Sequence, residues 1–191
     1  MKGYFSEVVK YFMKSEKVMV QRVEDFYFIC NGYAALKLPA AFYKGEFFTA
    51  SASGLFSELE SGEGLTIRPA DSESDKAASV FNVAQFFTVE DERPLEALPV
   101  LVELPKTQGK RNKKAQTAPA RLLYCSEYVT ALNTEIMKCF GGLGCKGVVG
   151  GASPFGPVVF RGAVFESEFL IMPVKVGDQY KDILRKIGGR V

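Results

Sequence analysis

Three short apolar runs, 18–23, 26–30 and 33–38, the first two rich in β-branched or aromatic residues, follow one another with turn residues at Asp25 and at Asn31-Gly32 between them. Punctuation that close leaves no room for a helical face to close, so the runs are expected to fold back as antiparallel strands. Asn-Gly between two such runs favours a type I′ hairpin, because both central residues of that turn need positive φ. Ahead of them, Phe5, Val8, Val9 and Phe12 recur at helical spacing, with Lys10 and Lys14 among them. That spacing predicts an amphipathic helix over 4–14. The chain therefore opens as a helix followed by a meander.

The same order returns later. Residues 121–125 read as a strand, and Ser126 is a plausible N-cap. Val129, Leu132, Ile136 and Phe140 then form a helical face that stops at Gly141-Gly142. Short strands are expected at 148–149, 157–160, 163–165 and 169–176. Almost no residue identity links the two parts, so the repeat is one of pattern. Between them, 47–49, 65–68, 80–89 and 99–104 read as strands, 54–60 as a short helix and 71–76 as an exposed loop. Tyr180, Ile183, Leu184 and Ile187 share one face of a short C-terminal amphipathic helix. The expected fold class is α+β, two helix-plus-antiparallel-meander repeats. The first spans 1–105 with an irregular insertion and the second 121–177. A basic flexible linker, 106–120, joins them, and the helix of 178–191 closes the chain.

Charge is unevenly placed along these parts. Residues 1–105 carry 10 basic and 16 acidic side chains, a net of −6, and residues 106–191 carry 14 basic and 6 acidic, a net of +8. Lys106, Lys110, Arg111, Lys113, Lys114 and Arg121 fall in a stretch with no acid. Such a block attracts phosphate by releasing counterions, without reading bases. Gly109, Asn112, Gln116 and Pro119 among the lysines also fit a solvated linker. The two readings are compatible.

The chain has no histidine, which removes the commonest general base and the commonest metal ligand. Cys30, Cys125, Cys139 and Cys145 contain no CxxC pair and are spread too widely for a disulfide framework, so reduced structural thiols are expected. Gly142-Leu143-Gly144-Cys145-Lys146-Gly147 matches GxGxxG, but it follows a helix and precedes strands, the reverse of a dinucleotide turn. Glu90, Asp91 and Glu92 are consecutive and suit a solvated turn better than a metal site, which draws acids from separate strands. No bound cofactor or metal is expected, and binding is favoured over catalysis. An enzyme built on carboxylate or lysine chemistry remains the third alternative. No apolar window of membrane-spanning length occurs, and the N-terminus lacks a signal-peptide core, so a cytoplasmic setting is the default.

Residues 126–176 resemble the closing repeat of a bacterial β sliding clamp. The features that carry the resemblance are Glu127-Tyr128-Val129-Thr130-Ala131-Leu132, the turn and strand Ala152 to Phe160, and the last strand Phe169 to Val176 with its Met172-Pro173 pair. Phe28 to Tyr33 is similar to that family's strand and Asp-Gly hairpin. The resemblance implies a DNA-clamp-like fold with helices facing DNA, a homo-oligomer, and a site for partner peptides at Met172 and Pro173. Lys10, Lys14 and Lys138 on the helices, with Lys106, Lys110, Arg111, Lys113 and Lys114, are then candidate contacts to the DNA backbone. The implied function is a non-enzymatic processivity or replication accessory factor, of a phage or mobile element. The alternative is a protein-interaction or assembly module of the same fold without DNA binding.

Overall fold

In the computed structural model, the structure describes residues 8, 10–42, 59–69, 73–77, 82–95, 97–105, 117–125, 128–140, 146–149, 156–161 and 167–175. The first helix, α1, is helical at 8 and 10–13, and Val8 and Phe12, four apart, are both buried. Strands β1 (Val18–Val23), β2 (Phe26–Cys30) and β3 (Ala34–Pro39) then form the expected meander. A tight turn joins β1 to β2, with Glu24 in the left-handed region at φ 51°.

The Asn31-Gly32 hairpin departs from the expected two-residue turn. Its loop is Asn31 to Tyr33, and only Gly32 takes positive φ, at 87°. The Asn31 side chain explains this, because Oδ1 accepts from the backbone N–H of Tyr33 at 3.1 Å and of Ala34 at 3.0 Å. It closes the loop as an Asx turn, without a second left-handed residue. Asn31 Nδ2 also donates to Ser15 Oγ at 2.9 Å, tying the hairpin to the end of α1.

A 3-10 turn (Ala40–Phe42) follows, then β4 (Gly64–Arg68) and β5 (Glu73–Ala77). β5 replaces most of the loop expected over 71–76. Its sequence, Glu-Ser-Asp-Lys-Ala, is polar because β5 is an edge strand, and charged edges resist adding further strands. Leu59 and Glu60 are not helical, and the rest of the helix expected at 54–60 lies outside the described residues, as do the strands expected at 47–49 and 163–165 and the helix of 178–191. The strand expected over 80–89 is instead a 3-10 helix (Val83–Phe87), with Val83 and Phe87 buried at a separation of four. Strands β6 (Arg93–Pro94), β7 (Ala97–Pro105), β8 (Thr117–Cys125) and β9 (Tyr128–Asn133) come next.

β9 corrects the helix expected to start at Ser126. Tyr128, Val129 and Thr130 are aromatic or β-branched and settle in a strand against β8, because their stiff χ1 suits a pleated surface. The helix α2 (Thr134–Phe140) starts eight residues after Ser126, and its cap is Asn133. Asn133 Oδ1 accepts from the N–H groups of Glu135 at 2.9 Å and Ile136 at 3.3 Å. After α2 come β10 (Lys146–Val149), β11 (Val158–Arg161), β12 (Glu168–Ile171) and β13 (Val174–Lys175). The single strand expected over 169–176 is thus split. The chain leaves one sheet at Met172-Pro173 and enters the other.

The strands build two antiparallel sheets, ordered β5-β4-β1-β2-β3-β12-β11-β10-β6 and β13-β9-β8-β7. With its short helices the fold is α+β. In the larger sheet two three-strand meanders, β1-β2-β3 and β10-β11-β12, meet where β3 pairs antiparallel with β12. One face carries Val20, Ile29, Leu36, Phe160, Phe169 and Ile171, packed with Val8 and Phe12 of α1 and with Leu132, Ile136 and Met137 around α2. Both helices therefore lie on the same side of the sheet. The opposite face carries Phe28, Cys30, Ala35, Val159 and Leu170, covered by Val83 and Phe87.

Gly147, the last glycine of the GxGxxG match, has a packing role on β10. A Cβ there would sit 2.9 Å from both Leu95 Cδ2 and Phe160 Cε1, so any larger residue would force those side chains to shift. Thr130 is fully buried on β9, and its Oγ1 has no hydrogen-bond partner among the described residues. Leaving a hydroxyl unsatisfied costs about 1–3 kcal/mol, whereas an apolar isostere avoids that cost. Thr130→Val is therefore expected to be neutral or to raise stability by up to about 1 kcal/mol in urea unfolding. A loss of that size would show that the hydroxyl is bonded.

Candidate binding surfaces

Lys10 lies on α1, Lys14 in the turn that ends it, and Lys138 in the last turn of α2; all three are exposed. Lys14 is held there by its backbone N–H, which donates to the Tyr11 carbonyl at 3.3 Å. Because both helices feed one core cluster, their outer surfaces face the same side of the nine-stranded sheet. Lys17 is exposed close by, as are the acids Glu16 and Glu135. Four exposed lysines and two exposed acids thus lie on or next to the two helices. Lys138 also suits the negative end of its own helix.

Lys106, Lys110, Arg111, Lys113 and Lys114 lie outside the described residues, but the strands on either side of them are placed. Pro105 at the end of β7 pairs with Thr117 at the start of β8. The basic stretch therefore joins two neighbouring strands of the four-stranded sheet. It is not a tether between separate parts, and residues 117–120 of the expected linker belong to β8.

Met172 and Pro173 are half-buried between the two sheets' strands. Met172 packs against the Phe28–Leu170 face, and its N–H donates to the Tyr33 carbonyl at 2.9 Å. Tyr33 is 55% exposed and Val174 41%. Exposed Tyr33 and Val174 therefore flank the half-buried Met172-Pro173 pair, one across the β3–β12 seam and one along the chain. Tyr33 had no site signal in the sequence, since its nearness to Met172 comes from the β3–β12 pairing.

The acidic run Glu90 to Glu92 is exposed, in line with the expected solvated turn. Glu92 pairs with Arg161, which also reaches Glu168. Asp91 takes φ 50° in the turn before β6. Among the described residues, no group of three or more acidic or cysteine side chains is arranged to hold a metal ion. Burial raises the Cys30 thiol pKa above its ordinary value, against a smaller opposing effect of the Gly32 N–H that donates to its sulfur. A protonated thiol is a poor nucleophile. No helix among the described residues is long and apolar enough to cross a membrane.

No protein-family model, curated protein or solved structure matches this chain.

Proposed function

We propose that this chain is a non-enzymatic binding protein of the sliding-clamp kind, which holds the DNA backbone against the helix-bearing side of its sheet. The observation that carries this reading is topological. Each three-strand meander follows a helix, α1 before β1-β2-β3 and α2 before β10-β11-β12, and the two meanders join at β3–β12 with both helices on one side. Two helix-plus-meander units sharing one sheet support this reading. On this reading Lys10, Lys14 and Lys138, exposed on or beside the two helices, are the contacts to the DNA backbone. Lysine ammonium groups contact phosphates as point charges and carry no base preference.

Duplex binding is expected to be independent of sequence and to weaken steeply with salt. In fluorescence anisotropy over a salt series, Lys10→Gln, Lys14→Gln and Lys138→Gln should each flatten the log–log slope by about 0.9 for a lost phosphate contact. The set Lys110→Gln, Arg111→Gln, Lys113→Gln and Lys114→Gln tests the hairpin connection in the same way. Slopes unchanged by both sets would overturn the backbone-contact reading.

A second reading, a protein-interaction module, is favoured by the exposed Tyr33 and Val174 on either side of the Met172-Pro173 crossing. Aromatic and methionine side chains are enriched in such contacts. Absence of duplex binding at low salt would shift the assignment to this module.

A further inference from the structure

Asn31-Gly32, the pair that shapes the β2–β3 loop, also carries a reactivity of its own. The backbone nitrogen that follows an asparagine can attack the side-chain carboxamide, and a glycine there has no Cβ to hinder the approach. Gly32 is exposed, at φ 87°, with open space where a Cβ would stand. Its N–H donates to the Cys30 sulfur at 3.3 Å, and a thiol sulfur is a weak acceptor. The nucleophile of this pair is therefore accessible.

The electrophile is held. Asn31 Oδ1 accepts from the Tyr33 and Ala34 N–H groups, which also fixes which carboxamide atom is the oxygen. Nδ2, the leaving group, donates to Ser15 Oγ at 2.9 Å. Ser15 is a firm partner, because its backbone N–H donates to the Phe12 carbonyl at 2.9 Å and Phe12 is buried in the core. The Asn31 N–H donates to the Ala34 carbonyl at 3.2 Å, which keeps the backbone of the pair in the hairpin. Ring closure needs Gly32 N above the carboxamide plane and a pyramidal Cγ. The two N–H groups on Oδ1 polarise Cγ toward that attack, as donors to a developing oxyanion do. Ser15 opposes it, since its bond pins both the plane and the nitrogen that must leave.

We propose that Asn31 is a site of spontaneous modification, whose conversion through a succinimide is restrained by Ser15 at the end of α1. A solvent base takes the Gly32 N–H proton and the N–Cγ bond forms. The Cγ–Nδ2 bond breaks as the conjugate acid returns that proton to Nδ2, which leaves as ammonia. Water then opens the ring. Opening at Cγ gives aspartate, and opening at the Asn31 main-chain carbonyl gives isoaspartate, in which the main chain runs through Cγ. Either product loses the Nδ2 donor. Isoaspartate also adds a carbon to the main chain, which disrupts the Asx turn and unties the hairpin from α1.

The test is incubation of the full chain at mildly alkaline pH, with the Asn31 peptide read by mass spectrometry for exchange of the amide nitrogen for oxygen and for isoaspartate. The urea-unfolded chain should convert faster than the folded one. Ser15→Ala should speed conversion of the folded chain about fivefold, as expected for one lost hydrogen bond net of solvation. Ser15→Thr keeps the hydroxyl and should stay near the parent rate. The β1–β3 amides should exchange no faster in Ser15→Ala, which places the restraint in the loop. Absence of conversion in both folded and unfolded chains would overturn the site. Folded chain converting as fast as unfolded, or a Ser15→Ala rate that is unchanged or slower, would overturn the restraint. A faster Ser15→Ala rate that comes with loss of β1–β3 protection would overturn it too, because global unfolding would then be the gate.

Discussion

Phe169→Ala is expected to cost 3–5 kcal/mol, roughly the range for truncating a buried phenylalanine. Phe169 is 2% exposed on β12 and sits at the seam where the two meanders join. Its ring stacks on Phe160 of β11 at 4.5 Å between centroids and 5° between planes, and its cross-strand neighbour on β3 is Leu36. Removing it opens a cavity shared by strands from both meanders, which neither can refill alone. Urea unfolding should show the loss as a lower midpoint with a single transition. A double-mutant cycle with Phe160→Ala should return about 0.5–1.5 kcal/mol of coupling from the stacked pair. A cost below about 1 kcal/mol would mean that the seam is not jointly packed there.

Glu168→Ala is expected to cost about 2–3 kcal/mol, through a different route. The Glu168 side chain is 14% exposed and bridges two cations, Lys37 Nζ at 2.8 Å and Arg161 Nη1 at 2.5 Å. Lys37 also lies 4.5 Å from the Phe26 ring centroid, so its ammonium is held on one side by a carboxylate and on the other by an aromatic face. Truncating Glu168 leaves both cations partly desolvated and without their shared carboxylate. The Lys37 side of the ladder should carry most of the loss, because Lys37 is 21% exposed while Arg161 is 39% exposed and keeps Glu92. Pairs as exposed as Arg161–Glu92 contribute about 0–1 kcal/mol. Urea midpoints of Glu168→Ala and Lys37→Met, singly and together, measure the coupling. A coupling near zero would show that water screens the ladder.

These two substitutions also separate the sources of stability in the sheet. Phe169 acts on the helix-bearing face and Glu168 on the opposite one, although they are neighbours on β12. Period-two alternation sends adjacent residues to opposite faces. The apolar loss should be nearly independent of salt, while the Glu168 loss should shrink modestly as ionic strength rises.

Local chemistry alone was enough to locate α1 and the meander β1-β2-β3. Val8 and Phe12 lie one turn apart, the strand residues alternate between two faces, and Asn31 carries its own turn acceptors. Each of those signals acts over a few residues. The exposure of Lys10, Lys14 and Lys138 was legible for the same reason, since they fall off the apolar stripes of short helices. Elsewhere neighbouring residues were poor guides. β5 looks like a loop because an edge strand needs no apolar face, and the Val83–Phe87 segment shows no clean period because it is neither strand nor regular α-helix. Residues 128–133 hold apolar positions that suit a helix, and pairing with β8 made them a strand. That the lysines of α1 and α2 share a side, that Tyr33 meets Met172, and that the basic stretch closes a hairpin all depend on pairing between distant segments. Lys37 and Glu168 show the scale of this, being 131 residues apart in the chain and 2.8 Å apart in the fold. Sequence patterns report which residues seek burial; the partner that buries them is chosen by strand register, and register is settled only when the whole sheet forms.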